Sequence, residues 1–268
     1  LLKVFLKLYD LLFLMLGAYP IRCSLSYNEK EIDTSKWVIR YTTANHFIEQ
    51  EAAFCDITAE NINSKSLIDI DNIHKQSIAS ISYIISEYYE HVVTNHKIEL
   101  ITHTIDGIFM HSIYYKELLD MKRIQNSKCS DTTYYENVER VFRTFFYYHR
   151  KYNCQILEEL GTTKKKFYKT ISDTRNDFSH LLGKKKNRLI SGKDMVYYID
   201  LIFIAERLFV LDEMLKLKLN ERMIQEYMYI MHDWIDELVN KRADRIKSKR
   251  YTNIQKVNLI EKKLGLTE

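Results

Sequence analysis

Proline and glycine are scarce in this chain, with one proline and six glycines in 268 residues. Both residues punctuate turns, so their scarcity disfavours an architecture of many short strands and favours long helices. Cysteine is sparse as well. Cys23, Cys55, Cys129 and Cys154 form no C-x-x-C pair, which excludes zinc-ribbon and thioredoxin spacings and makes a reduced, cytoplasmic protein the simple reading. There is no G-x-x-x-x-G-K-[ST], no G-x-G-x-x-G and no H-E-x-x-H stretch, so the phosphate-cradling loops of nucleotide-binding folds and the zincin site are missing. Glu87–His91 and Glu99–His103 are spaced i,i+4, whereas a di-iron bundle uses Glu and His at i,i+3. No metal and no cofactor are expected.

A long apolar run is also lacking. Lys7 and Asp10 interrupt the opening LLKVFLKLYDLLFLMLGAYP, and a membrane span needs roughly 20 mostly apolar residues. We read the opening as an amphipathic helix at a truncated or processed start rather than a signal peptide. No membrane partner is expected.

What is present is a large apolar fraction, 46%, enough for a real core. IRCSLSY (residues 21–27) and WVIRYTT (37–43) read as strands, so residues 1–66 form a small mixed α/β piece. From residue 71 the period becomes helical. Ile73, Ser77, Ile78, Ile81, Ile84, Ile85 and Tyr88 make one stripe, and Ile98, Ile101, Ile105, Ile108 and Phe109 make a second. After a loop over residues 126–133, a third helix carries Val138, Val141, Phe145, Tyr148, Tyr152 and Ile156 and stops at Gly161. A fourth starts at Thr162 or Thr163, buries Phe167, Ile171, Thr174, Phe178 and Leu181, and ends at Gly183. A fifth, from Asp194, is apolar on nearly every side and belongs at the centre of a bundle. A sixth covers 221–240, and 241–268 is a basic tail. The fold class expected is all-α, with a small α/β N-terminal part.

The net charge is only +4, yet residues 164–193 carry ten basic and two acidic side chains. Such a concentration puts positive potential where a nucleic-acid backbone would lie. Inside it stands Arg175-Asn176-Asp177-Phe178-Ser179-His180. A metal-free ribonuclease needs a base for the ribose 2′-OH, an acid for the departing 5′-oxygen and a cation for the phosphate. Histidine suits the first two tasks and arginine the third. Spacing alone does not select this pair. Thirteen arginines and nine histidines give about 1.3 chance pairs with four to six residues between them, and Arg40–His46 and Arg143–His149 also qualify. Context separates them. Arg143–His149 encloses TFFYY and reads as core with a rim arginine, and Arg40–His46 has no basic surroundings.

On a straight helix the Cα atoms of Arg175 and His180 lie roughly 8–9 Å apart and are rotated by about 140°. One chain brings both to a single phosphate only through a bend, whereas two facing motifs of a dimer supply two arginines and two histidines. Asp106 sits among apolar neighbours. It either reaches this site across the bundle or is an ordinary capped or surface carboxylate. Tyr168, beside the basic region, is either structural or a base-stacking platform.

The stretch ISDTRNDFSHLLGKKKNRLISGKDMVYYIDLIFIAERLFVLDEML resembles the end of a HEPN domain, with Arg175, Asn176 and His180 matching the family's Arg–polar–His motif. The short basic loop and the return helix are similar to the HEPN domain of ApeA-type anti-phage proteins. The likeness is best over residues 160–220 and looser over 71–160. It implies a HEPN-like helical bundle over 67–240, with 1–66 the remnant of a larger mixed α/β domain. It further implies a homodimeric, metal-independent endoribonuclease that cuts RNA, with tRNA a candidate, in abortive infection and leaves 2′,3′-cyclic phosphate ends. Arg175 would bind the phosphate, Asn176 would orient the site and His180 would act as base or acid. Lys164, Lys165, Lys166, Lys169, Lys184, Lys185, Lys186 and Arg188 would hold the RNA backbone. Some HEPN domains are silent dimerisation or RNA-binding modules, and that is the alternative.

Overall fold

A computed structural model describes residues 2–17, 25–27, 30–32, 54–73, 78, 94–126, 131–151, 156–180, 189–190 and 194–228. These residues are predominantly helical. The helices are α1 (Leu2–Leu16), α2 (Ser64–Asp69), α3 (Thr94–Phe109), α4 (Ile113–Gln125), α5 (Tyr134–Lys151), α6 (Ile156–Glu159), α7 (Lys164–His180) and α8 (Asp194–Leu208), and residues 221–228 are also helical. A small antiparallel hairpin joins β1 (Leu25–Tyr27) to β2 (Lys30–Ile32), with Leu25 opposite Ile32. The first expected strand is therefore shorter than 21–27 among the described residues. The second, 37–43, lies outside them, as do residues 79–93 and 229–268.

Local chemistry sets the helix ends. Ser112 caps α4, its Oγ accepting from the Tyr115 N–H at 3.3 Å. α4 was not foreseen as a separate helix, because Leu119 is its buried residue and one buried leucine makes no stripe. Gly161 takes a left-handed φ of 61°, and the Thr162 N–H reaches the Leu157 carbonyl at 2.9 Å. That is the glycine-capped end the sequence predicts. Thr163 then opens α7, its Oγ1 accepting from the Lys166 N–H at 3.3 Å. After α8 the chain widens into a π-helical turn, Phe209–Met214.

Helices α3 and α5 pack on each other, and α7 and α8 each pack against both. The seam of α5 and α7 is aromatic. Phe142 meets Phe167 at 5.1 Å, and Phe167 stacks on Tyr198 of α8 at 5.1 Å. From Tyr197 to Leu211, every residue of α8 and the turn except Asp200 is buried, as its apolar surround requires. Among the described residues no helix is long and apolar enough to cross a membrane.

Two neighbouring side chains of α8, Glu206 and Arg207, are both fully buried and charged by type. They face different elements. Glu206 Oε1 accepts from Thr104 Oγ1 of α3 at 2.6 Å. Arg207 donates from Nε to the Leu14 carbonyl at 2.8 Å and from Nη2 to the Met15 carbonyl at 2.9 Å. It thereby caps the end of α1, where unpaired carbonyls and the helix dipole favour a cation. Its guanidinium also lies 3.9 Å from the Phe54 ring centroid. Burial lowers the Arg207 pKa to about 10, and the guanidinium stays charged at neutral pH. Gly17 follows α1 with a φ of 78°. A Cβ there would lie 2.6 Å from Arg207 Nη1, so glycine serves both the backbone and the close approach.

Gly17→Ala is expected to lower stability by about 2 kcal/mol or more through strain and overlap, read from the denaturation midpoint. Burial raises the Glu206 pKa well above its ordinary value of 4.5, against the pull of Thr104. A carboxyl raised in the fold contributes fully below the unfolded pKa, and its contribution falls as pH climbs toward the folded value. Wild-type stability should therefore decline from pH 5 to pH 8 relative to Glu206→Gln, whose neutral amide still offers Thr104 an acceptor. Denaturation midpoints at the two pH values check this.

Candidate functional site

The α3–α7 seam carries two polar rungs. Asp106 Oδ2 meets Arg175 Nη2 at 3.2 Å, and His103 Nε2 meets Ser179 Oγ at 2.8 Å. The later α3 residue pairs with the earlier α7 residue, so the helices run antiparallel here. His103 and Asp106 are three apart on α3, and Arg175 and Ser179 are four apart on α7, the spacings that put side chains on one face. Both rungs therefore lie along the same seam.

Asp106 is fixed from a third helix. Asn137 Nδ2 of α5 donates to its Oδ1 at 2.8 Å, and Thr132 Oγ1 orients Asn137 by donating to its Oδ1 at 2.7 Å. Of the two readings of Asp106, the one that reaches across the bundle is the one observed. Burial raises its pKa and outweighs the opposing pull of Asn137 and Arg175. Arg175 also gives Nη1 to Asn176 Oδ1 at 3.3 Å and rests 5.1 Å from the ring centroid of Tyr134. Tyr134 is held in turn by its own hydroxyl, which donates to the Thr102 carbonyl. Arg175 Nε is buried with no hydrogen-bond partner among the described residues. A guanidinium has five N–H donors. One Nη1 hydrogen goes to Asn176 and one Nη2 hydrogen to Asp106.

His103 is half-buried. Desolvation, and then the nearby Arg175 charge, lower its pKa, while Glu99 and Asp106 oppose the shift. The neutral ring is thereby favoured, and in the tautomer with its proton on Nδ1 it accepts at Nε2 from Ser179. His180 is exposed in the last turn of α7. α7 is a continuous helix from Lys164 to His180, so no bend or unwinding inside it turns His180 toward Arg175. Residues 181–188, with Lys184, Lys185, Lys186 and Arg188, lie outside the described residues. The chain is again described at Ile190, whose N–H donates to Thr174 Oγ1 at 2.9 Å.

The other lysines stand apart. Lys164, Lys165 and Lys166 open α7, roughly 16 Å along the axis from Arg175. Lys164 Nζ lies over the Phe146 ring at 4.7 Å, and Lys169 Nζ is 3.5 Å from Asp173 Oδ2. Tyr168 is buried among Tyr135, Phe142, Phe146 and Phe167, so it is core and offers no face to a base. His149 is buried as well, accepting from the Ile156 N–H at 3.2 Å against the rings of Phe145 and Phe146, which accords with the core reading of that pair. Arg40 and His46 lie outside the described residues.

Sequence reading did not single out Ser179, Asn137 or Tyr134, and met His103 only as half of a rejected metal pair. The available signal was positional. His103 and Asp106 are polar residues bordering an otherwise apolar stripe, three apart.

A double-mutant cycle of Asp106→Ala and Arg175→Ala should give a coupling energy of about 1 kcal/mol or more. Asp106→Ala alone should destabilise by about 1–3 kcal/mol, because it leaves Asn137 and Arg175 without their acceptor. Additive single effects in denaturant titration would show the pair to be energetically idle.

Comparison of the chain with family models, with curated proteins and with solved structures returned no match, so the functional reading rests on the residues and their geometry.

Proposed function

We propose that this chain is a metal-independent endoribonuclease of the HEPN type, acting on RNA, with tRNA a candidate substrate, as a homodimer in anti-phage abortive infection. Arg175 binds the scissile phosphate, Asn176 orients the arginine and His180 exchanges protons with the substrate. The observation that carries this reading is Arg175 itself. Its guanidinium is held by Asp106, Asn176 and Tyr134, five residues before the exposed imidazole of His180, which precedes a basic stretch of sequence.

The chemistry consumes no water in the cutting step. A base takes the 2′-OH proton, the 2′-oxygen bonds to phosphorus, and the bond from phosphorus to the 5′-oxygen breaks as an acid protonates that oxygen. The ends are a 2′,3′-cyclic phosphate and a 5′-hydroxyl. A pre-oriented cation beside the phosphate lowers the barrier by meeting the charge that develops there. The lysines at the start of α7 add positive potential along the same helix, at the end where its dipole is already positive.

A second reading is a silent dimerisation or RNA-binding module. It is favoured by the engagement of both Nη atoms of Arg175 within the chain.

The two readings separate on purified tRNA and total RNA in EDTA. The nuclease should cut and leave cyclic phosphate ends, while His180→Ala should lose about 100-fold or more in rate and still bind RNA. RNA binding without cutting by either protein would support the silent module.

A further inference from the structure

We propose that His103, outside the Arg–His motif, is the second imidazole of the cutting centre, the base beside the Arg175 of its own chain, with the acid supplied by the His180 of a facing copy of the chain. The inference rests on the nuclease reading above and deepens it. In that reading a lone motif histidine leaves one of two proton transfers unassigned, and two facing motifs of a dimer are one way to fill it. The α3–α7 seam offers another. His103 Nε2 lies 2.8 Å from the Oγ of Ser179, the residue immediately before His180 and four after Arg175. His103 lies three residues before Asp106, the carboxylate that pairs with Arg175 at 3.2 Å, so a phosphate held by the guanidinium would lie along the same seam as His103. The site is open on that side, since Ser179 and His180 are exposed.

The pose of α3 is not accidental. Asp106, one turn along, is tied to Arg175 and Asn137, and Thr104 is tied to the buried Glu206. His103 is thus presented to α7 by fixed neighbours on both sides of it in the sequence. The charged groups facing it are Arg175 on α7 and Glu99 and Asp106 on its own helix. Its neutral ring takes the 2′-OH proton at Nε2, displacing Ser179. The 2′-oxygen then attacks phosphorus. The His180 of the facing copy gives a proton to the 5′-oxygen as its bond to phosphorus breaks. The two rings end with exchanged protonation states and reset by proton exchange with solvent.

The test is the pH profile of kcat/KM in EDTA on one RNA oligonucleotide, for wild type, His103→Gln and His180→Gln. Loss of a general base should cost about 100-fold or more. His103→Gln should also lose the acidic limb, where rate rises as the base deprotonates, and His180→Gln the alkaline one. If His103→Gln cuts within a few-fold of wild type with both limbs intact while His180→Gln is dead, His103 is not the base and the nuclease reading stands. If wild type does not cut at all, both fall.

A second measurement avoids dependence on a foldable variant. On adding a 2′-O-methyl RNA, which keeps its phosphates but lacks the nucleophile, the His103 midpoint followed by NMR in wild type should rise by about one pH unit, as a nearby phosphate charge requires. RNA binding that leaves the His103 midpoint unmoved would overturn the proposal.

Discussion

Arg207 is the constraint around which the described structure is arranged. A fully buried cation is tolerable only when its lost hydration is replaced. Here the replacement comes from the carbonyl end of α1, through Leu14 and Met15, and from the face of Phe54. The same segments are stitched by backbone bonds, Phe54 to Met15 at 3.0 Å and Asn220 to Phe54 at 2.9 Å. α1 therefore belongs to the core that α8 organises. Its residues Leu11, Phe13, Leu14 and Met15 are buried with those of the bundle. Removing the cation would take a donor from each of the Leu14 and Met15 carbonyls, and removing α1 would take both of these acceptors from the cation.

The neighbouring residue extends the constraint to the site. Successive helical residues point about 100° apart, so Glu206 and Arg207 are aimed at different elements. Glu206 grips Thr104, in the middle of the α3 segment that carries His103 and Asp106. That bond limits rotation of α3 about its axis, and a rotation there would turn both polar side chains away from α7. Burial favours the neutral acid form of Glu206, which avoids the larger cost of a buried carboxylate.

At the seam, polarity is concentrated rather than spread. Asp106, Asn137, Thr132, Arg175 and Asn176 form one connected hydrogen-bond network. Such networks are worth most in a low-dielectric setting and fix side-chain directions that packing alone would leave loose. An arginine so held loses little further freedom when it meets a phosphate, which is what preorganised charge stabilisation requires.

Much of the helical order was legible in the sequence because its causes are local. The apolar spacing of Ile98, Ile101, Ile105 and Ile108 reports the buried face of α3. Gly161 and Thr163 mark a helix end and a start through backbone geometry that depends on few neighbours. The continuous apolarity of α8 announced a helix enclosed by others. α4 was not legible, since a surface helix burying only Leu119 writes no stripe. Nor was the partnership of Arg175 with Asp106, 69 residues away, or of Ser179 with His103, 76 residues away. Residue type and spacing along one helix decide which face is apolar. Which polar group on another helix comes within hydrogen-bond reach depends on how the helices are rotated and offset. In this protein that was decided only in the tertiary structure, by the packing of α3 against α7 and the buried bonds of α8.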